Sequence, residues 1–519
     1  MYKRRKEYLG DFYTKGREGL SVDTLEQLAK RKGCTLESLK SACFFNFSLD
    51  VQDKRILMVG YGGIGNNMLP LFKKHLNIKD GNILVYDMKK DVIPGDYVDG
   101  IRFKNLKIDK HNYKREFEAF LRPGDLLLDL SYYIDTLEVI KWCKDKQIMF
   151  INAAVEEWEE SESNNLQYPK SDPRLYTLYK RQMMIQKDTE NWENTPTAII
   201  THGANPGWVS HTTKVALRDW VNHLEREGHD MRRERQMLNN KDYPELAKQL
   251  EVQVVQIAEK DTLRQSIPRR KGEFICTWSP QGFIEEGIAP AELGWGTHEI
   301  KKDVYGYKEG PKNQVCFNTR GIDTYAETFV PSGNYLGMIV RHEEAFSISD
   351  YLTVRRGNKV VYRPTVYYCY QPCNDAISSL YEMKSNAYKQ PTTLRLPKHE
   401  LIDGNDELGC FLLSKKWGGW WIGTTQSVQD AEELCPGQSP TTLVVAAGVL
   451  AAVFYAFNHP RLGVIHPDDM EETEALDVTL PYLYPFSSFA VPDWKPTIQA
   501  KFDIHNYKTR DWIIEKFMP

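Results

Sequence analysis

The chain has 519 residues, of which 41% are hydrophobic and 27% are charged, and its formal net charge is −4. This length predicts two or three domains, and this composition is typical of a soluble globular protein. The small negative charge offers no broad basic surface, so neither nucleic acid nor an acidic membrane is expected as a partner. The nine cysteines, an odd and scattered set, favour reduced thiols and a cytoplasmic location, and they complete no metal site with histidines.

Residues 1–50 predict a helical N-terminal extension. Two helical stretches, at residues 21–30 and 35–40, begin with capping residues and are separated by Gly33. The pair resembles a helix-turn-helix in spacing only. Without a third helix or a nearby basic surface, a helical extension is the preferred interpretation.

A glycine-rich turn follows the apolar run Ile56–Val59 with the spacing Gly60, Gly62 and Gly65. The first glycine permits a tight turn, the second lets backbone approach a pyrophosphate, and the third lets a helix pack closely. The N-terminus of that helix favours an anion. A second apolar run ends at Asp87, where a carboxylate binds the ribose hydroxyls of NAD and repels the 2′-phosphate of NADP. The turn therefore predicts NAD as the cofactor, against the alternative of a strand–turn–helix that binds no phosphate. NADP is disfavoured rather than excluded, because Lys89 and Lys90 follow the acid closely.

Residues 51–204 alternate apolar β-rich runs with helical stretches, which predicts an α/β Rossmann domain with a doubly wound parallel sheet. The runs lie at residues 56–59, 83–86, 126–130, 148–151 and 198–200. Ligands in such sheets bind beyond the carboxyl ends of the strands. Besides the three glycines and the acid, the expected cofactor contacts are Gly63, Ile64, Ser131, Asn152 and Ala153. Asp135 is expected to cap the helix that follows it.

Residues 205–435 predict a second, α+β domain on a mixed or antiparallel sheet, for substrate. Its strand-like runs are rich in aromatics and lie at residues 251–258, 274–278, 335–340, 359–370, 409–413 and 419–423. Residues 436–519 are expected to form C-terminal helices that return to the Rossmann domain. Their 15-residue apolar run at 443–457 is shorter than a bilayer span, which predicts a buried helix.

Carboxylates and aromatic rings cluster in three segments of the second domain, around Glu259, around Trp278 and Glu286, and around His342 and Glu344. Buried carboxylates need a partner, and a cationic substrate supplies one. The face of Trp278 suits an ammonium or iminium group. This pattern predicts an acidic, aromatic pocket for amines. The alternative is that both glutamates form internal ion pairs and that the tryptophan and histidine are ordinary core residues; composition alone does not separate the two.

Nine segments then carry a family resemblance, and the run Pro-Ala-Glu-Leu-Gly-Trp-Gly-Thr-His-Glu at 290–299 is the most specific. The chain resembles homospermidine synthase of the bacterial type, which is related to the saccharopine dehydrogenase group. Residues 1–50 depart from that pattern. The matching segments are 59–65, 202–210, 257–262, 277–279, 282–287, 290–299, 341–343, 363–366 and 403–409.

The resemblance implies a transferase of polyamine biosynthesis. Two putrescine molecules give homospermidine and ammonia, through an imine and a Schiff base, and NAD takes up a hydride and returns it without net oxidation. Spermidine is a further candidate substrate. The family is dimeric, so the resemblance implies a homodimer, with residues 205–435 as the dimerisation domain.

The resemblance also implies roles for single residues. Trp278 resembles the tryptophan that makes a cation–π contact with the reacting amine. Glu259 and Glu286 resemble carboxylates that anchor ammonium groups. Asn205 resembles the amide that orients substrate beside the nicotinamide.

His342 is the candidate for proton transfer, together with Glu344 or Glu343, and the sequence does not tell which of the two carboxylates faces the pocket. Two other functions stay open. One is a saccharopine-type amino-acid dehydrogenase with net NAD turnover, which would need Arg or Lys to hold substrate carboxylates. The other is a non-catalytic NAD-sensing protein, which would have no use for the carboxylates around Trp278.

Overall fold

The structure is a computed structural model that describes residues 47–90, 93–159, 178–300, 306–308, 314–397, 399–498 and 512–519. The predicted N-terminal helices at residues 21–30 and 35–40 lie outside these ranges. The described residues divide into two compact units. The first unit comprises Phe47–Trp208 and Thr442–Thr479, and the second comprises Val209–Thr441 and Leu480–Pro519.

The strands are numbered β1 to β26 in chain order: Leu49–Asp50, Ile56–Val59, Leu76–Asn77, Ile83–Asp87, Tyr97–Val98, Ile101–Asn105, Leu126–Asp129, Met149–Asn152, Ala198–Ile199, Val252–Asp261, Arg264–Gln265, Glu273–Ile275, Pro290–Gly294, Gly306–Lys308, Gln314–Arg320, Tyr325–Val330, Gly333–Val340, Val354–Arg356, Lys359–Tyr362, Thr365–Gln371, Thr393–Arg395, Leu401–Asp403, Asn405–Ser414, Gly418–Ser427, Val464–Ile465 and Phe486–Val491. The helices are numbered α1 to α13: Gly63–His75, Tyr113–Phe120, Thr136–Lys146, Leu178–Thr189, Trp208–Arg226, Arg232–Asn239, Tyr243–Gln249, Pro280–Ile288, Glu344–Tyr351, Asn374–Ser385, Val428–Leu434, Pro440–Asn458 and Glu472–Thr479.

The first unit is built on a sheet with the strand order β25-β9-β8-β7-β2-β4-β6-β5. Its neighbouring strands are parallel except β5 and β6. Strands β2, β7 and β8 are buried along their whole length, which explains their uninterrupted apolar sequences. The order reverses between β2 and β7, as in dinucleotide-binding sheets. The predicted doubly wound parallel sheet is confirmed.

Helix α12 contains the apolar run that was predicted to be buried. It is the one described helix that is long and apolar enough to cross a membrane, but 89% of its apolar window is buried. A Cβ atom at Gly448 would overlap the backbone of Gly203 in the first unit. The helix is therefore a core helix that packs directly against backbone, and the prediction of a buried helix is confirmed.

The second unit contains a mixed sheet with the strand order β14-β15-β13-β20-β10-β23-β24-β26, and β17 pairs with both β20 and β16. Strands β10 and β20 are parallel, and the other neighbours are antiparallel. The mixed sheet was predicted, but the single strand predicted at residues 359–370 is wrong. It is divided into β19 and β20 at Arg363-Pro364, because proline donates no ladder hydrogen bond and restricts the preceding residue.

The end of the chain divides between the two units, unlike the predicted return of residues 436–519 to the first. Strand β25 extends the sheet of the first unit beside β9. Strand β26 instead pairs with β24 in the second unit. The residues after Thr479 therefore belong to the second unit, because their strand completes its sheet.

The sheet of the second unit has two unlike faces because successive side chains on a strand point to opposite sides. One face carries the hydrophobic core, in which Trp494, Trp512 and Phe517 pack against the strands. The other face carries Glu259 and Asp261 of β10, and we call it the site face. Strands β20, β23 and β24 contribute the neighbouring residues of this face.

Candidate active site

The glycine turn after β2 has the geometry that the three glycines predicted. Gly60 has a φ of 99°, and a Cβ atom there would overlap the carbonyl of Leu130 after β7. A Cβ atom at Gly65 would overlap the carbonyl of Gly60, whereas one at Gly62 would meet nothing within 4 Å. The first and third glycines are thus required by close packing. The second leaves open space, as a turn that admits a diphosphate requires.

The N-terminus of α1 opens onto this space. Gly62 is the N-cap and supplies no side-chain cap, and the first turn, which begins at Gly63 and Ile64, contains no acidic residue. The last turn contains Lys73, Lys74 and His75 instead. The free N–H groups and the helix dipole therefore suit a diphosphate at this end of α1.

Asp87 ends β4 beside the glycine turn. One carboxylate oxygen accepts a hydrogen bond from the Tyr61 N–H at 2.7 Å, and the other accepts one from the Lys89 N–H at 2.7 Å. Each oxygen keeps a further lone pair for a donor such as a ribose hydroxyl. The backbone therefore holds Asp87, the predicted partner of the ribose hydroxyls, in place. The residues present fit NAD.

Ser131 follows β7 and donates its hydroxyl hydrogen bond to Asp129 at 2.7 Å, while its N–H donates to the same oxygen at 3.0 Å. Burial raises the pKa of Asp129 to about 7, and the two bonds from Ser131 oppose that shift. Asp135 accepts a hydrogen bond from the Glu138 N–H at 2.7 Å. Asp135 is thus the N-cap of α3, as predicted.

Asn152 ends β8 and has its side chain engaged within the first unit. Its amide donates to the hydroxyl of Thr136 and to the carbonyl of Ala154, and its oxygen accepts from the Thr201 N–H at 2.8 Å. The side chain thus fixes the carboxyl ends of β8 and β9 relative to each other. Ala153, also predicted to contact cofactor, is half-buried beside it.

Asn205 lies in the first unit, in the turn that follows β9. A backbone bridge between Gly203 and Gly207 closes the turn, and the peptide bond from Asn205 to Pro206 is cis. The side chain is half-buried. Five other predicted catalytic residues belong to the second unit.

His342 lies in the second unit between β17 and α9, with a carboxylate at each ring nitrogen. Nδ1 lies 3.1 Å from Glu344 and Nε2 lies 3.1 Å from Glu286. Burial alone would lower the pKa of His342, but the two carboxylates outweigh it and hold the pKa well above its usual value. Glu344 is fully buried, and its Oε2 has no hydrogen-bond partner among the described residues. Glu344, rather than Glu343, is thus the carboxylate that contacts the histidine.

Glu259 on β10 connects to this histidine through Tyr368. The Tyr368 hydroxyl donates to Glu259 at 2.7 Å, and the Tyr368 ring lies 4.1 Å from the His342 ring. Glu259 is 3% exposed, so its charge lies in a low-dielectric setting. A cation beside Glu259 would gain more electrostatic stabilisation here than it would in water.

Trp278 lies immediately before α8, the helix that carries Glu286. Its ring is 6.1 Å from that of Phe283, which is 5.3 Å from that of Tyr370. Tyr370 in turn lies 5.5 Å from Tyr368, so a row of rings leads from the tryptophan to the histidine. Trp278 is half-buried, unlike an ordinary core tryptophan.

The structure therefore brings five of the six predicted catalytic residues into one cluster: Glu259, Trp278, Glu286, His342 and Glu344. Sequence reasoning missed Tyr368, Asp261 and Asp406. The sequence could have indicated Asp261, because residues two apart on a strand, such as Glu259 and Asp261, lie on the same face of the sheet. Asp406 stood in a quoted motif, but its pairing with Asp261 is set by strand register.

Comparison with known proteins identifies the relatives of this chain. Residues 56–199 match the family model described as the saccharopine dehydrogenase NADP binding domain, and residues 203–488 match the saccharopine dehydrogenase C-terminal domain. Homospermidine synthase of Mesorhizobium japonicum is 34% identical over 449 residues, which are 85% of this chain and 91% of the relative. Homospermidine synthase of Blastochloris viridis is 31% identical over 451 residues, or 86% of this chain and 92% of the relative.

The architecture matches a solved structure over nearly its whole length. The crystal structure of homospermidine synthase from Legionella pneumophila in complex with NAD has a TM-score of 0.79 and 30% identity. The match covers 91% of this chain and 99% of that one. The similarity thus extends over both units.

Proposed function

Since the chain belongs to the homospermidine synthase family, we propose that the cluster around His342 is the catalytic centre in which it joins two diamine molecules. The enzyme is an NAD-dependent aminobutyl transferase. Two putrescine molecules give homospermidine and ammonia, so one carbon–nitrogen bond forms, one breaks, and no net oxidation occurs. The observation that carries the proposal is the buried histidine held between the buried Glu344 and the partly exposed Glu286, beside Glu259.

NAD supplies a hydride acceptor and donor when it is bound, and the glycine turn, the N-terminus of α1 and Asp87 are the groups that would hold it. The second unit then has to meet the positive charge of the diamines. An imidazolium between two carboxylates carries a net charge of about −1, and Glu259 adds another negative charge. That excess suits an ammonium ion.

Proton movement is the task that we assign to the histidine and its two carboxylates. An ammonium group must lose a proton before its nitrogen attacks an imine carbon, and ammonia must gain a proton as it leaves. Glu286 is the more exposed carboxylate, at 27% of its side chain, so it is the group that a substrate nitrogen reaches. The Nε2 and Nδ1 atoms of His342 connect it to the buried Glu344.

Trp278 and Glu259 are assigned to the charged groups of the substrate. The tryptophan ring presents a π face to the reacting ammonium or iminium, an attraction that strengthens when water is excluded. Glu259, oriented by the Tyr368 hydroxyl, binds an ammonium group of the substrate. Asn205 of the first unit is proposed to orient substrate, and Ser131 and Asn152 to border the cofactor.

Putrescine is the proposed substrate, with spermidine as an alternative donor, a homodimer as the working assembly and the cytoplasm as the location. A dehydrogenase of the saccharopine type would have to bind substrate carboxylates. The cluster described here consists of carboxylates, a histidine and aromatic rings, so it favours cations.

A product assay tests the proposal. Purified protein is incubated with putrescine and catalytic NAD, homospermidine is followed by mass spectrometry, and NADH by absorbance. Homospermidine without accumulating NADH is expected. NADH without homospermidine would indicate the dehydrogenase, and neither product would indicate the binding protein.

The Glu259→Gln variant tests the anchor in the same assay. The neutral amide keeps the size of the side chain but loses the charge, so the KM for putrescine should rise about tenfold. An unchanged KM would contradict the assignment of Glu259.

A further inference from the structure

A second group of buried polar side chains lies on the site face beyond Glu259. Asp261 of β10, Asp406 of β23 and Gln426 of β24 pair side by side across the three strands. We call them the outer row. All three are at most 2% exposed, and the mechanism above uses none of them.

The inner row is the next set of paired residues on the same face. Tyr370, Glu259, Leu408 and Thr424 pair across β20, β10, β23 and β24. Glu259 is thus one step along the strand from Asp261, on the same face. The two rows together form a mostly polar surface, in which Leu408 is the one residue without a polar side-chain atom.

Four polar atoms of these rows have no hydrogen-bond partner among the described residues. They are the Tyr370 hydroxyl, Oδ1 of Asp406, the Thr424 hydroxyl and Oε1 of Gln426. The Gln426 amide nitrogen is fixed, because it donates to the carbonyls of Tyr482 and Tyr484 at 2.9 and 3.1 Å. Its oxygen is thus left as an acceptor. All four atoms can accept, which is what an N–H donor needs.

The outer row also places two carboxyl groups side by side. Asp261 accepts from the Thr277 hydroxyl and from the Leu263 N–H, and among the described residues no Lys or Arg pairs with Asp261 or Asp406. Burial raises the pKa of Asp261 to about 7, against hydrogen bonds that include one from the Cys373 N–H. Burial with the charges of Glu259 and Asp261 raises the pKa of Asp406 well above its usual value, although the nearby Thr441 hydroxyl opposes that shift. Such a pair needs either a shared proton or a cation.

We propose that Asp406, with Asp261, Thr424 and Gln426, forms a second ammonium subsite, which binds the far nitrogen of a diamine whose near nitrogen lies at Glu259. Neighbouring positions on one face of a strand are about 7 Å apart. The nitrogens of an extended four-carbon diamine are about 6 Å apart by standard bond lengths. The two rows therefore match one putrescine lying along the strand direction. This inference rests on the proposed function for the identity of the ligand.

The test pairs an isosteric variant with a ligand that lacks the far nitrogen. In NAD-loaded protein, the Asp406→Asn variant should raise the KM for putrescine at least about tenfold. The inhibition constant of butylamine, a four-carbon monoamine, should stay within about twofold, since it has no group for this subsite. Thr424→Val, which removes only an unpartnered hydroxyl, should raise the KM for putrescine by about two- to fivefold.

Asp403→Asn is the matched control, because Asp403 forms an exposed ion pair with Arg264 and should change neither constant. If Asp406→Asn weakens the binding of putrescine and of butylamine equally, or weakens neither, the proposed subsite is wrong. If the wild type forms no homospermidine, the proposed function fails instead. In that case thermal shifts of NAD-loaded protein with putrescine and with butylamine still decide the subsite. The wild type should be stabilised more by putrescine than by butylamine, and Asp406→Asn should remove this difference while it leaves the shift with butylamine unchanged.

Discussion

The two units differ in how they hold the polar side chains of their candidate sites. In the first unit the polar groups at the sheet edge are satisfied locally: Asn152 uses its amide nitrogen and its oxygen on neighbouring groups, and Asp87 is held by two backbone N–H groups. In the second unit Glu344 and Asp406 each keep a buried oxygen without a partner. Under the proposed function, the glycine turn and Asp87 of the first unit would bind the dinucleotide, and the buried carboxylates of the second unit would bind the ammonium groups.

The difference has an energetic consequence. A buried polar atom without a partner costs about 1 to 3 kcal/mol, and several such atoms lie on the site face. A ligand that donates to them recovers this cost when it binds, which couples stability to the ligand. A dinucleotide in the first unit would instead enter space that the glycine turn already leaves open. The predictions below test whether this division holds.

The largest effect is expected for His342→Gln. Glutamine can still hydrogen-bond a carboxylate but cannot move a proton, so kcat should fall by about 10²- to 10⁴-fold. NAD affinity, measured by fluorescence titration, should not change, because the glycine turn belongs to the other unit. His298→Gln is the control, since His298 bonds to the Trp512 carbonyl at 3.0 Å and not to the cluster. Turnover within threefold of the wild type would mean that His342 does not transfer the proton.

Trp278→Phe should have a smaller effect on the same chemistry. A phenyl ring presents a weaker π face to the positive intermediate, a loss of about 1 to 2 kcal/mol in a desolvated site. Homospermidine formation should therefore slow by about 5- to 30-fold, with NAD affinity unchanged. Trp417→Phe, which alters a ring packed on His229, is the matched control. Equal rates for wild type and Trp278→Phe would mean that Trp278 only packs against its neighbours and does not stabilise the positive intermediate.

The first unit is tested by two alanine substitutions in one turn. Gly62→Ala places a methyl group in open space, so the fold should persist while NAD affinity falls about tenfold, because the methyl obstructs the diphosphate. Gly65→Ala would overlap the Gly60 carbonyl and should lower the free energy of unfolding by about 1 to 3 kcal/mol. Titration with NAD and thermal unfolding separate the two. Gly62→Ala with wild-type affinity would mean that the diphosphate does not approach there.

Local sequence patterns predicted most of the first unit, because β2 and the glycine turn are specified by neighbouring residues. They also identified the cluster residues of the second unit, partly through the family resemblance. They did not choose between Glu343 and Glu344, since that choice depends on where α9 begins. They did not pair Asp261 with Asp406, because the register of β10 and β23 joins residues far apart in the chain.

The last test concerns Asp129, a buried carboxylate at the carboxyl end of β7 in the first unit. Its pKa is about 7 in the folded protein and about 4 in an unfolded chain. Between these values the folded state holds a proton that the unfolded state has lost, so stability falls as the pH rises from about 4 to about 7. Asp129→Asn mimics the protonated form and still accepts from Ser131. It should therefore raise the free energy of unfolding by about 2 kcal/mol at pH 8 and much less at pH 5. Urea midpoints of both proteins at the two pH values measure this, and an equal difference at both would mean that Asp129 ionises in the folded protein as it does in water.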